Sequence, residues 1–242
     1  MGLNPGYHRH LRAAAAALRP LPRDRGAGRT GAGPVRLLDL GCGSGASTRA
    51  LLDQDVEQGE DLDVTGVDAS AGMLARARAK SWPDGVRFVH GRAEEFRDGG
   101  RAFGLRGPLG GVLAAYLFRN VPAGDRDDVV RAAYAALEPG GTLVAQEYSV
   151  AGSRRAALTW SVVCWLVVIP LSWLTSRDTR LYRYLWRSVL DFDTTSTVAD
   201  RLRRAGFADV EVRRVGGWQR GILHTFRARR PVAAAPAGPG SS

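Results

Sequence analysis

The sequence predicts an α/β fold: a doubly wound, mostly parallel seven-stranded sheet of the Rossmann-like type. Three observations predict it. Short apolar runs alternate with helical patterns along the chain, and this alternation is typical of strands joined by right-handed helical crossovers. Several runs are apolar on both faces, as buried parallel strands require. A hydrophobic stretch, residues 156–174, precedes the last two strands, so we expect a helical insertion there.

The predicted strands are short and are separated by segments long enough to form helices. They are Val35–Leu40, Val64–Val67, Val86–Val89, Val112–Leu117, Thr142–Gln146, Val210–Val215 and Ile222–Arg227. One helix is predicted over Asp125–Leu137, because its apolar residues repeat at helical spacing and Pro139-Gly140-Gly141 follows directly. Another helix is expected to end near Gly206.

Composition divides the chain into three parts. Residues 1–33 are predicted to hold a helical stretch, Leu11–Leu18, and a flexible linker rich in glycine and arginine. Residues 34–230 form the main domain, in which residues of about 151–190 are expected to be a helical lid over a substrate. Residues 231–242 contain mainly proline, alanine, glycine and serine, and are predicted to be a disordered tail.

Charge and cysteine content limit the location and the partners. The net charge is +10, and Lys80 is the single lysine among 34 basic residues. The arginines are scattered, whereas a nucleic-acid-binding protein is expected to cluster them beside aromatic side chains, so no nucleic-acid partner is expected. Two cysteines and no secretory pattern indicate a cytoplasmic protein. His8-x-His10 lacks neighbouring acids or cysteines, so no metal site is expected. Oligomeric state is not predicted.

A glycine-rich loop follows the first predicted strand. Gly41, Gly43 and Gly45 alternate between that strand and a helix beginning near Ala46. Glycines let the backbone approach a ligand closely, and the helix that follows offers free N–H groups to it. With Ala46 the loop satisfies the G-x-G-x-x-[GA] pattern of dinucleotide sites. A tight strand–helix turn without a ligand has the same pattern.

Two acids and a methionine lie near this loop. Asp39 precedes it, where a carboxylate repels a pyrophosphate but suits a ligand that carries an ammonium and a sulfonium. Asp68 ends the second strand, where it can accept hydrogen bonds from two ribose hydroxyls. Met73, one turn into the next helix, lies either against a purine or in the core.

The run DLGCGSG (residues 39–45), GVDAS (66–70) with Met73, and HGRAEEF (90–96) resembles the class I S-adenosylmethionine-dependent methyltransferases. The resemblance implies S-adenosyl-L-methionine as the cofactor. It implies that the first run holds the methionine moiety, that Asp68 holds the ribose, and that Arg92 and Ala93 lie beside the adenine. The predicted cofactor contacts are Asp39, Gly41, Cys42, Gly43, Ser44, Gly45, Asp68, Ala69, Met73, Arg92, Ala93 and Ala115.

A second set of residues, around the fourth strand and towards the C-terminus, narrows the class. Residues 115–121, AYLFRNV, resemble the G-L-R-N-V pattern of the ubiquinone/menaquinone C-methyltransferases. The resemblance covers residues of about 35–230 and implies C-methylation of a prenylated, demethylmenaquinol-like quinol. Arg119 is expected to stabilise a developing phenolate, and Asn120 to fix a water or the hydroxyl. Tyr116 and His224 are the predicted acceptor contacts.

Alternatives remain at this stage. They are a small-molecule methyltransferase of secondary metabolism, an RNA methyltransferase, and a cofactor-binding protein without catalysis. Residues 156–174 are apolar enough for a membrane span, but a single crossing would separate the last two strands from their sheet. We expect instead a core helix, or a helix that covers an apolar acceptor. In the second case its tryptophans and the flanking arginines would allow peripheral contact with an anionic membrane at the inner face of the plasma membrane.

Overall fold

The structure is a computed structural model, and it describes residues 6–19, 34–55, 61–177 and 179–232. Two predicted segments lie mostly outside these ranges: the linker of residues 26–34, and the tail of residues 231–242. The described residues form one seven-stranded sheet with helices on both faces. This architecture confirms the predicted fold class.

The strands follow the spatial order β3-β2-β1-β4-β5-β7-β6. Their bounds are Val35–Leu40 (β1), Leu62–Asp68 (β2), Val86–His90 (β3), Leu109–Ala115 (β4), Leu137–Tyr148 (β5), Ala208–Arg214 (β6) and Leu223–Arg229 (β7). The first five strands are parallel, and β7 runs antiparallel to both β5 and β6. The carboxyl ends of β1–β4 therefore lie side by side at one edge, where open α/β sheets bind their ligands.

Eight α-helices cover the sheet in the described part of the chain. Their bounds are Tyr7–Ala17 (α1), Ala46–Asp55 (α2), Ala71–Arg78 (α3), Arg126–Ala136 (α4), Arg154–Val163 (α5), Ile169–Ser176 (α6), Arg180–Leu190 (α7) and Thr195–Arg204 (α8). A single π-helical segment, Cys164–Val168, joins α5 to α6, and a short 3₁₀ turn, Phe118–Asn120, follows β4. The predicted helix over 125–137 and the helix end near Gly206 agree with α4 and α8.

The apolar core has two main parts, one on each face of the sheet. The first part holds the aromatic and aliphatic side chains under α4 and α8. The second contains Leu11, Ala14 and Ala15 of α1 with residues of α2, β1 and β4. The amide of Gln146 on β5 donates to the carbonyl of His10 at 3.0 Å, so α1 is fixed to the centre of the sheet.

Two strand boundaries differ from the prediction. The fourth strand was expected to run to Leu117 but ends at Ala115, because Tyr116 adopts a positive φ of 59° that turns the chain out of the sheet. The fifth strand was expected over Thr142–Gln146 but extends from Leu137 to Tyr148. It pairs with β7 as far as Tyr148, and this antiparallel partner supports the longer strand.

The hydrophobic stretch forms the helical insertion that the sequence predicted. It is the one helix of the described residues, Arg154–Leu174, that is long and apolar enough to cross a membrane, yet only 22% of its apolar window is buried. The expectation of a core helix is therefore wrong. Trp160 and Cys164 are buried, whereas Leu158, Leu166 and Leu174 are each at least 66% exposed. The chain returns through α7 and α8 to β6 and β7 of the same sheet, so both ends of this segment lie on one side.

Candidate functional site

The glycine loop has the conformation that its sequence predicts. Gly41, Gly43 and Gly45 have φ values of 80°, 54° and 81°, which other residues rarely adopt. A Cβ on Gly45 would lie 2.7 Å from the Trp82 ring, so only glycine fits there. The Cys42 side chain is buried, and its Sγ lies 3.0 Å from where a Cβ on Gly66 would stand. Cys42 can therefore serve a ligand through its backbone, and burial raises the pKa of its thiol.

Asp39 is fully buried at the base of this loop. Its Oδ2 accepts hydrogen bonds from Ser47 Oγ at 2.7 Å and from Thr48 Oγ1 at 2.6 Å. Its Oδ1 has no hydrogen-bond partner within the described part of the chain. Burial raises the pKa of Asp39 to about 6, and the charge of Asp68 adds to the increase, while the two hydroxyl donors oppose it. A buried carboxylate with one unpaired oxygen suits an ammonium ligand.

Asp68 connects the second strand to the glycine loop. Its Oδ2 accepts from the backbone N–H of Gly43 at 2.8 Å, and its Oδ1 accepts from Ser70 N at 2.8 Å. Each oxygen keeps a second lone pair, so the carboxylate can also accept ribose hydroxyls. Met73 lies above the loop, with its Cε 3.4 Å from where a Cβ on Gly43 would stand. Met73 therefore lies over the predicted cofactor site.

The other predicted cofactor residues lie around the same edge of the sheet. Ser44 is buried, and its carbonyl accepts from Lys80 Nζ at 2.6 Å. The Ala69 carbonyl lies 3.0 Å from His90 Nε2, which ties the end of β2 to β3. Ala93 and Ala115 are buried. The Arg92 side chain is exposed and reaches Glu94 at 3.4 Å, which leaves its backbone as the part nearest to the sheet edge.

These residues fit the cofactor that the resemblance implies. One end of the site presents an unpaired oxygen of a buried acid, Asp39, and the other presents a ribose-type acceptor, Asp68. The three glycines, whose positive φ values shape the loop, lie between them. All predicted cofactor contacts lie at the carboxyl ends of β1–β4 or in the loops and helix that follow directly.

Arg119 is held by an acid that sequence reasoning did not assign to the site. Arg119 Nη1 donates to Glu147 Oε1 at 2.5 Å, and Arg119 N donates to Glu147 Oε2 at 3.3 Å. Glu147 is 1% exposed and also accepts from Tyr148 N at 3.1 Å. The guanidinium lies over the rings of Tyr116 and Tyr148, at 5.7 and 5.8 Å from their centroids. Arg119 is therefore fixed in place by an ion pair and two aromatic faces.

Four aromatic rings form a column beside Arg119. Tyr7 of α1 stacks on Tyr116 at 5.7 Å, Tyr116 contacts Tyr148 at 5.2 Å, and Tyr148 stacks on Trp160 of α5 at 5.2 Å. Burial raises the pKa of Tyr148 to about 12, and the pKa values of Tyr7 and Tyr116 are raised for the same main reason. All three phenols are therefore neutral at physiological pH. The column connects the cofactor side of the sheet with the hydrophobic insertion.

A cavity of about 440 Å³ lies between the turn after β4 and helix α7. It is lined by Arg119, Arg126, Arg183, Tyr184, Trp186, Arg187, Ser188 and Asp191. Tyr184 OH donates to Asn120 Oδ1 at 3.3 Å, and Asn120 Nδ2 donates to the carbonyl of Tyr116 at 3.2 Å. The structure thus brings the two predicted catalytic residues, Arg119 and Asn120, together with α7. Asn120 positions the hydroxyl of Tyr184, a cavity residue.

His224 lies on β7 in register with Glu147 of β5 and is 4% exposed. Burial is the main cause that lowers its pKa to about 4, and the charge of Arg214 lowers it further. His224 is therefore neutral at pH 7. The two predicted acceptor contacts, His224 and Tyr116, are not among the residues that line the cavity. Either residue would therefore have to reach an acceptor from inside the edge of the sheet.

The site residues that sequence reasoning missed are Glu147, Tyr184, Tyr148 and Tyr7. A signal for Glu147 existed: a single acid at the end of an apolar strand that neighbours the strand leading to Arg119. The predicted strand ended two residues too early, at Gln146, so Glu147 fell outside it. Tyr7 and Tyr184 lie far from the other site residues in sequence, and no local pattern connects them.

Comparisons with known proteins agree with this geometry. The model of the ubiE/COQ5 methyltransferase family matches residues 19–227. The chain is 31% identical to a ubiquinone/menaquinone biosynthesis C-methyltransferase of Methylobacterium nodulans, over 89% of this chain and 79% of that protein. It is 30% identical to the demethylmenaquinone methyltransferase of Clavibacter sepedonicus, over 81% of this chain and 74% of that protein.

Solved structures share the fold. An S-adenosylmethionine-dependent methyltransferase of Mesorhizobium loti aligns with a TM-score of 0.58 and 20% identity, over 90% of this chain and 96% of that one. Human N-acetylserotonin methyltransferase, solved with its S-adenosylmethionine, aligns with a TM-score of 0.58 and 17% identity over 93% of this chain. The present chain spans about half of that human protein, 52%.

Proposed function

The chain belongs to the ubiE/COQ5 methyltransferase family, and on that premise we propose that it methylates a ring carbon of a prenylated, demethylmenaquinol-like quinol. The family makes it an S-adenosylmethionine-dependent methyltransferase. The quinol acceptor is supported by the reactions for which the two relatives are named and by the cavity beside Arg119. We also propose that the enzyme is cytoplasmic and meets its acceptor at the inner face of the plasma membrane.

The position of Arg119 carries the proposal. Its guanidinium lines the cavity, and the residue itself lies in the short turn Phe118–Asn120 that follows β4 at the carboxyl edge of the sheet. A phenolic acceptor attacks through a ring carbon only as its hydroxyl loses its proton, so negative charge develops on that oxygen. A fixed, partly buried guanidinium stabilises such charge without reorganisation. Arginine is not expected to take the proton itself, because it remains protonated in proteins.

The cofactor, when bound, supplies an electrophilic methyl group on its sulfonium. The chain's own residues then align the acceptor with that group, since alignment alone lowers the barrier of a bimolecular transfer. Asp39 and Asp68 hold the two ends of the cofactor site, and Asn120 orients the Tyr184 hydroxyl in the cavity. The acceptor's phenolic proton leaves to water at the open side of the cavity. Once the methyl group is on the ring carbon, that carbon gives up its hydrogen as a proton and the oxygen takes a proton back, so the aromatic quinol is restored and the demethylated cofactor is the other product.

A quinone profile of a deletion strain tests the proposal. We expect the methylated quinone to disappear, its demethyl precursor to accumulate, and both changes to be reversed by the intact gene but not by the double variant Arg119→Gln with Glu147→Gln, which keeps a neutral buried pair. Purified protein with labelled cofactor and a demethylmenaquinol should place the label on a ring carbon. An unchanged quinone profile would instead favour the small-molecule methyltransferase of secondary metabolism, which needs the same cofactor site and a different acceptor.

A further inference from the structure

We propose that the outer face of α5, α6 and α7 docks in the plane of an anionic lipid bilayer and takes up the acceptor from it. This inference rests on the proposed function, because the bilayer would supply a prenylated acceptor. The apolar face is defined by five side chains that are each at least 60% exposed. They are Leu158, Leu166, Trp173, Leu174 and Leu181.

The apolar face is unlike the rest of the described surface. Of the thirteen large hydrophobic side chains that are exposed among the described residues, ten lie within residues 158–184. Soluble proteins rarely expose so many apolar side chains in one contiguous patch, and such a patch indicates a binding surface. The inner side of the same helices packs on Tyr148 and Val150. Only one side of the segment therefore contacts the rest of the protein.

Positive charge surrounds this apolar face. Residues 151–190 contain six arginines and one acid, Asp178. All six are exposed: Arg154, Arg155, Arg177, Arg180, Arg183 and Arg187. They lie at the start of α5, after α6 and along α7, so they are near both ends of the apolar segment. Basic residues near an anionic surface are each attracted to it. An apolar face edged by arginines and tryptophans is typical of a helix that lies in the membrane interface.

The sheet topology decides how the segment meets the bilayer. β5 precedes the apolar helices, and β7, which follows them, pairs with β5 from Thr142 to Tyr148. The two ends of the segment therefore return to the same sheet, and a single membrane crossing is excluded. The segment can lie in the interface with Leu166 and Leu174 turned to the acyl chains while Trp160 remains in the protein.

A second copy of the chain fits this face less well. A two-fold dimer would place the patch against itself, so the six arginines of one copy would meet those of the other. Like charges brought together in this way oppose association. An anionic bilayer has the complementary charge, and the cavity residues Arg183 and Tyr184 lie on the same helix, α7, as the exposed Leu181. Docking would thus bring the cavity to the lipid surface.

Vesicle flotation tests the docking surface. The full-length protein is mixed with vesicles of phosphatidylcholine and phosphatidylglycerol, and in parallel with phosphatidylcholine alone. We expect it to float with the anionic vesicles only, and less at high salt. The double variant Leu166→Glu with Leu174→Glu should weaken partitioning by at least about tenfold, because two exposed leucines no longer enter the acyl region. The matched control Val212→Glu, an exposed apolar residue on β6, should float as the wild type does.

An acceptor assay separates this proposal from the proposed function. The double variant should methylate a detergent-dispersed short-chain quinol at the wild-type rate and a vesicle-embedded long-chain quinol at least about tenfold more slowly. Wild-type protein that stays in solution with both vesicle types would overturn the docking surface. A double variant that instead changes a dimer to a monomer by light scattering would overturn it in favour of self-association. Vesicle binding without turnover of either quinol would overturn the proposed function alone.

Discussion

The cofactor side and the acceptor side of the molecule are built in different ways. On the cofactor side, the buried carboxylate of Asp39 near the end of β1 and the half-buried carboxylate of Asp68 at the end of β2 make short hydrogen bonds to nearby residues. On the acceptor side, helix α7 forms one wall of the cavity, and the lining residues come from two segments that are distant in sequence, 119–126 and 183–191. Changes on one side should therefore affect cofactor binding, and changes on the other should affect the acceptor.

The largest effect is expected on the acceptor side, at Arg119. Removing Arg119 alone would leave Glu147 as an uncompensated buried charge and cost about 3–5 kcal/mol of folding stability. We therefore combine Arg119→Gln with Glu147→Gln, which keeps a neutral buried pair. Turnover should fall about 100- to 1000-fold, because the charge that stabilises the phenolate is lost. Single-turnover methyl transfer measures this effect.

The cofactor affinity of this double variant tests whether the cofactor side and the acceptor side act separately. The dissociation constant for S-adenosylmethionine, measured by calorimetry, should stay close to that of the wild type, since Arg119 lies outside the glycine loop. The single variant Glu147→Gln, which keeps the guanidinium, is the matched control and should lose less turnover. An equal loss of turnover and cofactor affinity would show that the two sides are not separate.

A smaller effect is expected on the cofactor side, at Asp39. Asp39→Asn removes the charge of the unpaired buried oxygen but keeps an acceptor for Ser47 and Thr48. Cofactor affinity should fall about 10- to 100-fold, the range of a lost hydrogen bond to a charged group. Turnover at saturating cofactor should be retained. Asp84→Asn, an exposed acid, serves as the control and should change neither quantity.

The same acid predicts a pH dependence. The pKa of Asp39 is raised to about 6 in the folded protein, so below that pH the carboxyl becomes neutral and cofactor affinity should fall. The folding stability of the cofactor-free protein depends on pH in the opposite direction to cofactor affinity. A raised carboxyl pKa contributes stability that is present below the ordinary value and lost as the pH rises through about 6. Asp39→Asn should therefore be no less stable than the wild type at pH 7, by thermal unfolding, and lower stability there would contradict this prediction.

The smallest effect is expected at Tyr184. Tyr184→Phe removes the hydrogen bond to Asn120 and leaves the ring in the cavity wall. The KM for the acceptor should rise about two- to tenfold, the cost of one neutral hydrogen bond, with cofactor affinity unchanged. Tyr182→Phe, on the same helix but outside the cavity lining, is the control. If both variants change the cofactor affinity instead, α7 belongs to the cofactor side.

The sequence identified the glycine loop and the two acids that flank it because these signals are local. Strand, glycines and helix are contiguous in the chain, and Asp68 ends the next strand along it. On the acceptor side the prediction was partial. Arg119 follows a strand directly and was identified, whereas Tyr184 became a site residue only through the packing of α7. Glu147 was missed because its strand runs two residues further, supported by pairing with β7.

The sequence could not predict how much of the hydrophobic segment, residues 156–174, is buried. Apolar content alone suits a core helix and an interfacial helix equally, and only the packing shows which side chains are covered. In the structure Trp160 faces the aromatic column while Leu166 is 72% exposed. The early end of β4 was missed in a similar way: Tyr116 has a positive φ, and its ring contacts Tyr7 and Tyr148, which are distant from it in sequence.

The reversed strand β7 has a consequence for synthesis of the chain. Because β7 and β6 complete the sheet after the apolar helices in sequence, the edge of β5 and residues 154–174 leave the ribosome before their partners exist. Until β7 is made, the nascent chain exposes an open strand edge together with a segment long enough to be mistaken for a membrane anchor. We therefore expect the growing polypeptide to recruit chaperones or the targeting machinery in this interval, and a premature stop after residue 190 to yield an aggregating product.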